Sequence, residues 1–241
     1  MRIAFISDIH GNSVALEAVL QDIEKRNIDK VYVLGDICFR GAEPKKSLSL
    51  VRDLKTELIK GNADEWIVRG IRKGEVPDQA YEVMNKERDW AYNQLSQEEI
   101  HYLEDLPINL TLELEGKKIT AFHATPNSLF DIVSPSEGDS VIQETLMKDP
   151  SSDIYIYAHI HKPYIRFING KCIINTGSVG LPFDGLPKSS YAILEIGEKD
   201  LETKIVRVTY DVDKAIHLFA ETDYPNKELM ISILQNGELP K

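Results

Sequence analysis

Strand-like and helix-like patterns of apolar residues alternate along the first quarter of the chain. Helical spacing begins at Val14, just after the capping candidate Asn12, and continues to Ile23. A second helical pattern has Pro44 near its start, where the missing proline N–H would be unpaired anyway. Short apolar runs predict strands at residues 3–7, 31–34 and 58–59. This alternation predicts an α/β fold.

The next segment is helical and strongly charged. Between residues 64 and 105 the apolar residues keep a helical period, and Ser96 and Glu99 form a capping box ahead of Ile100 and Leu103. We predict a small helical cap inserted over about 64–105.

Beyond Pro107 the pattern changes to strands joined by tight turns. Gly116 lies in one predicted hairpin turn and Asn169-Gly170 in another, because Asn-Gly accepts the positive φ angles of a two-residue turn. The predicted strands cover residues 110–114, 119–122, 154–158, 164–168, 171–174, about 190–196 and about 203–210, and helices follow. The order predicts two stacked mixed β-sheets with helices outside.

Composition is that of a globular chain. Its 241 residues are 42% hydrophobic and 28% charged, enough for one large core without disulfide bonds. No repeat or linker occurs, so we predict a single domain over 1–241. Cys38 and Cys172 lack metal-binding spacing and are expected to be reduced thiols. Without an apolar run of about 18 residues, we expect a cytoplasmic protein with no membrane partner.

The net charge of −11 bears on the choice of partner. Acidic and basic residues are interleaved, which argues against a general nucleic-acid surface. Metal ions are not counted in this charge and can dominate the field of a cleft. The negative net charge is therefore compatible with a local anion-binding site.

Metal-capable residues follow predicted strands throughout the chain. Strand ends in such sheets converge on one crevice, where loops build sites on a rigid scaffold. The residues concerned are Asp8, His10, Asp36, Asn62, His123, His159 and His161.

Each fragment alone has an ordinary structural interpretation. Asp8-Ile9-His10 could be a turn before a helix, Gly35-Asp36 a strand-to-turn dipeptide and His123 a buried core histidine. His159 and His161 are more specific, since side chains two residues apart share one face of an extended segment. A metal site is favoured because all of these fragments occur together, each at a predicted strand end.

That order, D-x-H, G-D, G-N, H and H-x-H, resembles the calcineurin-like metallophosphoesterase superfamily over nearly the whole chain. The segments from Trp90 to Pro107 and from Asn175 to Pro182 resemble its bacterial branch of phosphodiesterases and diadenosine tetraphosphate hydrolase-like proteins. The resemblance implies a four-layer sandwich of two mixed sheets flanked by helices.

The resemblance also implies a role for each candidate residue. Asp8, His10 and His161 would hold one metal ion, and Asn62, His123 and His159 a second. Asp36 would bridge them, and Asp36, Asn62 and His123 are the candidate catalytic residues. Such nitrogen and oxygen ligands suit Mn²⁺, Fe, Zn²⁺ or Ni²⁺, of which we favour Mn²⁺. A hydroxide between the two ions would attack the phosphorus in line.

Two positions near these ligands change the expected chemistry. Ala63 stands where members commonly have a histidine that assists the leaving group, so general-acid help is in doubt. We expect Ala63→His to restore a proton donor if the cleft has room. Arg40 is a candidate substrate-binding residue, whereas Cys38 is expected to be a buried side chain rather than a nucleophile.

The expected function is hydrolysis of a phosphodiester or phosphoanhydride in a small phosphorylated substrate, such as a nucleotide or dinucleoside polyphosphate. A phosphomonoesterase would share the same metal site. A non-catalytic scaffold with this fold is a further alternative, which the complete ligand set argues against. Neither the native metal nor the oligomeric state follows from the sequence.

Overall fold

The computed structural model describes residues 1–197 and 200–240. Its strands are β1 (Arg2–Ile6), β2 (Lys30–Val33), β3 (Asn109–Leu114), β4 (Lys117–Phe122), β5 (Ile154–Tyr157), β6 (Tyr164–Ile168), β7 (Lys171–Asn175), β8 (Ser189–Ile196) and β9 (Leu201–Val208). Its helices are α1 (Ser13–Lys25), α2 (Pro44–Asp53), α3 (Asn62–Arg69), α4 (Asp78–Asn93), α5 (Gln97–Glu104), α6 (Asp139–Leu146), α7 (Val212–Ala220) and α8 (Lys227–Asn236).

The strands form two mixed sheets. The first has the order β2-β1-β8-β9, with β1 parallel to β2 and the other pairs antiparallel. The second has the order β3-β4-β5-β7-β6, in which β4, β5 and β7 run parallel. Hairpins close both edges of the second sheet. The predicted fold class is confirmed.

Three apolar clusters hold the layers together. Phe5 of the first sheet and Ile156 of the second belong to a buried cluster between the sheets. Ile6, on the opposite face of β1, belongs to a second cluster with Leu16 of α1. The outer face of the second sheet packs with Ile142 of α6. Each sheet therefore buries both of its faces, as a sandwich flanked by helices requires.

Local signals in the sequence correspond to the observed turns and caps. The Asn12 side chain accepts a hydrogen bond from Ala15 N–H at the start of α1. Ser96 and Glu99 cap α5 reciprocally. The Asn169-Gly170 turn joins β6 to β7, and both residues have positive φ. These three predictions are confirmed.

The predicted strand at 58–59 is wrong as a separate strand. Leu58 makes one isolated parallel bridge with Val33, and Ile59 N–H donates to the Val33 carbonyl at 2.9 Å. The next amide, Lys60 N–H, donates instead to the Pro107 carbonyl at 2.7 Å. The ladder stops there because the backbone donors turn to a different segment.

The segment predicted as a helical insertion contains α4, α5 and most of α3. The assignment of one domain to 1–241 stays a prediction. Among the described residues, no helix combines the length and hydrophobicity needed to cross a bilayer.

Ile156→Ala should test the core between the sheets. Ile156 is fully buried, so truncation is expected to lower the free energy of unfolding by about 2–5 kcal/mol. Urea denaturation measures this loss. Phe167→Ala is the control, because Phe167 is 62% exposed and its truncation should have little effect. Equal losses would contradict the assigned core.

Candidate metal centre

All seven candidate ligands lie at one end of the two sheets. Two follow β1, one follows β2, one begins α3, one follows β4 and two follow β5. Because β1 runs parallel to β2 and β4 parallel to β5, the carboxyl ends within each sheet meet at one edge. The residues brought together are Asp8, His10, Asp36, Asn62, His123, His159 and His161.

The backbone of this edge is unusual. Five of the candidates have left-handed conformations: Asp8 (φ 51°), His10 (φ 49°), Asp36 (φ 56°), His159 (φ 67°) and His161 (φ 55°). Such conformations are uncommon outside glycine and concentrate at functional sites. The positive φ angles thus fall on the residues that carry the candidate ligands.

Four side chains form the first half of the cluster. Asp8, His10, Asp36 and His161 each offer a ligand atom within 4.8 Å of the others. Nε2 of His161 lies 3.2 Å from Asp8 Oδ1 and 3.2 Å from His10 Nε2. All four side chains are buried.

Asn62 organises the second half. Its Oδ1 lies 2.9 Å from His123 Nε2 and 2.7 Å from His159 Nδ1. Asp36 Oδ2 lies between the halves, 3.4 Å from His123 Nε2 and 3.5 Å from His10 Nε2.

Backbone carbonyls orient three of the imidazoles. Nδ1 of His10 donates to Phe39 O at 2.8 Å, and Nδ1 of His123 donates to Leu34 O at 2.7 Å. His161 Nδ1 donates likewise to the Leu181 carbonyl. A carbonyl only accepts, so each Nδ1 carries a proton and Nε2 faces the cluster.

This donor set fits divalent cations. The facing Nε2 atoms of His10 and His161 both present lone pairs, because each Nδ1 is protonated. Asp8 Oδ1 is buried and accepts no hydrogen bond from any residue that the structure describes. Converging acceptors with no donor between them favour a cation, and imidazole, carboxylate and amide ligands suit Mn²⁺, Fe, Zn²⁺ or Ni²⁺.

Burial and charge set the ionisation of the cluster. Burial lowers the pKa of His10 to about 4, and burial with the neighbouring charge of His123 lowers the pKa of His159 to about 4. Burial opposes protonation of His123 as well, but the Asp36 charge outweighs it and raises the pKa of His123 to about 9. Burial also disfavours the Asp36 carboxylate, yet the histidine charges hold its pKa well below the usual value.

Asp64 is a structural support of the site that the sequence reasoning missed. Its carboxylate accepts hydrogen bonds from the backbone N–H groups of Asp36 at 2.7 Å, Ile37 at 2.9 Å and Gly61 at 2.9 Å. It thereby joins the loop after β2 to the start of α3. The available signal was its position two residues after Asn62.

Ser178 holds the loop after β1 in the same way. Its hydroxyl donates to the Asp8 carbonyl at 2.8 Å and accepts from Leu181 N–H at 2.8 Å. Asn175 Nδ2 donates to the Ala158 carbonyl at 2.6 Å, next to His159. The segment from Asn175, noted in the sequence only as a resemblance, thus supports both metal-ligand loops.

The remaining candidates have distinct environments. Arg40 Nε lies 3.3 Å from Oε2 of the buried Glu87, so its role in substrate binding stays a prediction. Cys38 is fully buried, and burial raises the pKa of its thiol well above the usual value, as expected for a packing residue. Ala63 is 1% exposed and belongs to an apolar cluster, so we expect the imidazole of Ala63→His to overpack the core.

The stacked mixed sheets and the cluster of histidines and carboxylates at their edge define the class of metal-binding phosphoesterases. The chain belongs to the calcineurin-like phosphoesterase superfamily, whose domain model matches residues 1–199. The resemblance seen in the sequence is confirmed at this level. Membership supports a metal-dependent phosphoesterase acting on a phosphorylated substrate.

Similar proteins extend over nearly the whole chain. An uncharacterized protein of Methanocaldococcus jannaschii is 33% identical, with 92% of this chain and 93% of the relative covered. A metallophosphoesterase from Sphaerobacter thermophilus is 29% identical with a TM-score of 0.77, covering 98% of this chain and 100% of that one. A hypothetical protein from Pyrococcus horikoshii has a TM-score of 0.85 at 22% identity, covering 99% of each chain, and shows the shared fold alone.

Gly61→Ala should test how closely the backbone must approach Asp36. An added Cβ would lie 2.0 Å from Asp36 Oδ1, although φ of Gly61 is an ordinary −99°. We expect Mn²⁺ affinity, measured by calorimetry, to fall about 10- to 100-fold, as for other losses of ligand support.

Gly138→Ala is the matched control. Gly138 also precedes a helix and has φ −67°, and apart from its chain neighbours no described residue has an atom within 4 Å of the added Cβ. Equal affinity in the Gly61 and Gly138 variants would show that Asp36 is not held by this contact.

Proposed function

We propose that this chain is a dinuclear metal-dependent hydrolase of phosphodiester or phosphoanhydride bonds. The observation that carries the proposal is the position of Asp36 Oδ2, within 3.5 Å of histidines from both halves of the ligand cluster. One carboxylate oxygen shared between two groups of ligands is the arrangement that a pair of cations needs.

The ligand roles follow from the two halves. Asp8, His10 and His161 would hold one ion, Asn62, His123 and His159 would hold the second, and Asp36 would be shared between the two groups. Two divalent cations bound there, which we propose to be Mn²⁺, would supply an activated water and would neutralise charge on the phosphate. The chain supplies the position: side chains already oriented by backbone hydrogen bonds need little reorganisation.

Asp36, Asn62 and His123 are the residues that we propose act closest to the reacting phosphate. Asn62 Oδ1 lies between His123 and His159, and Asp36 lies between His123 and His10. Arg40 is the proposed cationic contact for a phosphate oxygen. Its side chain is 15% exposed, and its Nε lies 3.3 Å from Oε2 of Glu87.

In the proposed reaction, the rate of hydrolysis depends on how acidic the leaving group is. Ala63 offers no imidazole, and its side chain is buried. A poor alkoxide would then depart with nearly full charge. Aryl diesters and phosphoanhydrides therefore fit the site better than simple alkyl phosphates.

Two other functions remain as alternatives. A phosphomonoesterase would use the same metal ligands, and the preference for diesters rests on the leaving-group argument. A non-catalytic scaffold is opposed by the complete ligand set and by the 29% identity to a metallophosphoesterase. We also propose a cytoplasmic location and a nucleotide or dinucleoside polyphosphate as substrate.

Asp36→Asn should reduce turnover more than Asp64→Asn. Asp36 contacts both halves of the cluster, whereas Asp64 supports Asp36 only through backbone hydrogen bonds. We expect a loss of about 10- to 100-fold for Asp64→Asn and a larger one for Asp36→Asn. The measurement is kcat on an aryl phosphodiester at saturating Mn²⁺. Equal losses would contradict the bridging role.

The leaving-group dependence tests the account of Ala63. With a series of aryl methyl phosphodiesters, log kcat should fall steeply as the leaving-group pKa rises, because no side chain protonates the departing oxygen. Flat dependence under rate-limiting chemistry would reveal another acid. Ala63→His should not rescue poor substrates, and overpacking should instead destabilise the fold by about 1–3 kcal/mol.

A further inference from the structure

A cavity opens beside the metal centre on the His159 side. It has a volume of about 480 Å³, within the usual range for small-molecule sites. His159 lines it, and His159 is also the only one of the seven candidate ligands that is not buried. The accessible face of the metal centre and the cavity therefore coincide.

The walls of the cavity are mainly apolar. Ile160 and Phe183 line it, and the Phe183 ring stacks on His161 with 4.3 Å between centroids and 11° between planes. Ile132, 78% exposed, and Leu239, 49% exposed, add apolar surface at the opening. Exposed apolar side chains gathered at one cavity are typical of a ligand surface.

The residues that follow α8 form part of this wall, and backbone contacts hold them in place. Gly237 ends α8 with a left-handed φ of 69°, and its carbonyl accepts a hydrogen bond from Gly185 N–H at 2.9 Å. A Cβ on Gly237 would lie 2.4 Å from the Leu186 backbone. This close contact brings Leu239 to the same cavity as Phe183.

Of the two charged groups at the cavity, the cationic one suits a phosphate ester. Lys162 directly follows His161, lines the cavity and has no carboxylate within 4.0 Å in the part of the chain that the structure describes. Glu238 lies in the same lining. An occupant with a flat apolar group on one side and an anionic phosphate on the other matches both the walls and the cation.

We propose that this cavity binds an aromatic ring carried by the phosphorylated substrate, so that Ile132, Phe183 and Leu239 select ring-bearing esters. This inference rests on the proposed function, because it takes the metal centre as the place where the phosphate binds. The ring is that of an aryl ester or of a nucleobase, which share the same flat apolar surface.

Binding of matched anions to the Mn²⁺-loaded protein tests the proposal by calorimetry, without hydrolysis. Phenylphosphonate is compared with methylphosphonate, and the 5′-methylenephosphonate analogue of adenosine 5′-monophosphate with that of ribose 5-phosphate. These phosphonates have no ester bond to hydrolyse, and within each pair the main difference is the ring. The native chain should bind the ring-bearing member of at least one pair about tenfold tighter. The pair with the larger ratio identifies the source of the ring.

Ile132→Asp and Leu239→Asp should each reduce that ratio to about threefold or less, because a charged group replaces apolar surface at the opening. Both positions are exposed, so the fold should tolerate the change. Phe167→Asp is the control: Phe167 is exposed beside the Asn169-Gly170 turn, where β6 and β7 join, and its variant should keep the native ratio.

The outcomes separate the two proposals. A native ratio near one in both pairs, or ratios unchanged in both cavity variants, would overturn the ring site whatever the activity. A ring preference that the cavity variants abolish supports the ring site even if aryl phosphodiesters, assayed separately with Mn²⁺, are not hydrolysed. That second result would count against the proposed function alone.

Discussion

The site depends on how firmly one buried carboxylate is held. Asp36 Oδ1 accepts the Ala63 N–H at 2.8 Å, and its own N–H donates to Asp64 at 2.7 Å. The first turn of α3 thus supplies an N–H donor to a negative charge, and the positive end of the helix stabilises that charge. Oδ1 is held by this contact, and Oδ2 faces histidines of both halves.

The carboxylates of Asp36 and Asp64 both accept hydrogen bonds from backbone N–H groups at the start of α3, but the two have different roles. Burial and the neighbouring charge of Asp36 raise the pKa of Asp64 to about 6, even though three backbone N–H groups oppose this shift. Asp36 keeps its charge because histidines surround its free oxygen. Asp64 can therefore serve as a backbone clamp while Asp36 carries the charge that a cation requires.

The sequence predicted most elements whose signals are local. Hairpin turns, helix caps and the strand-end positions of the ligands depend on neighbouring residues, so they could be inferred from the pattern alone. The role of Asp64 could not, because its hydrogen-bond partners lie up to 28 residues away. The bridge at Leu58 and the burial of Ala63 also depend on tertiary packing, and the cavity at Phe183 joins segments from distant parts of the chain.

The left-handed backbone conformations of the ligand residues explain why many hydrogen bonds hold the loops around the site. Each such conformation costs on the order of 1–3 kcal/mol and persists only where surrounding contacts determine it. The Asp8 loop has that support: Asp8 N–H donates to the Gly35 carbonyl at 3.1 Å, and the Asp8 carbonyl accepts from Gly180 N–H at 2.9 Å and from Ser178. These bonds connect β1, the loop after β2 and the segment before β8. The geometry of the ligands is therefore a property of several strands together, and weakening one loop should disturb ligands on the others.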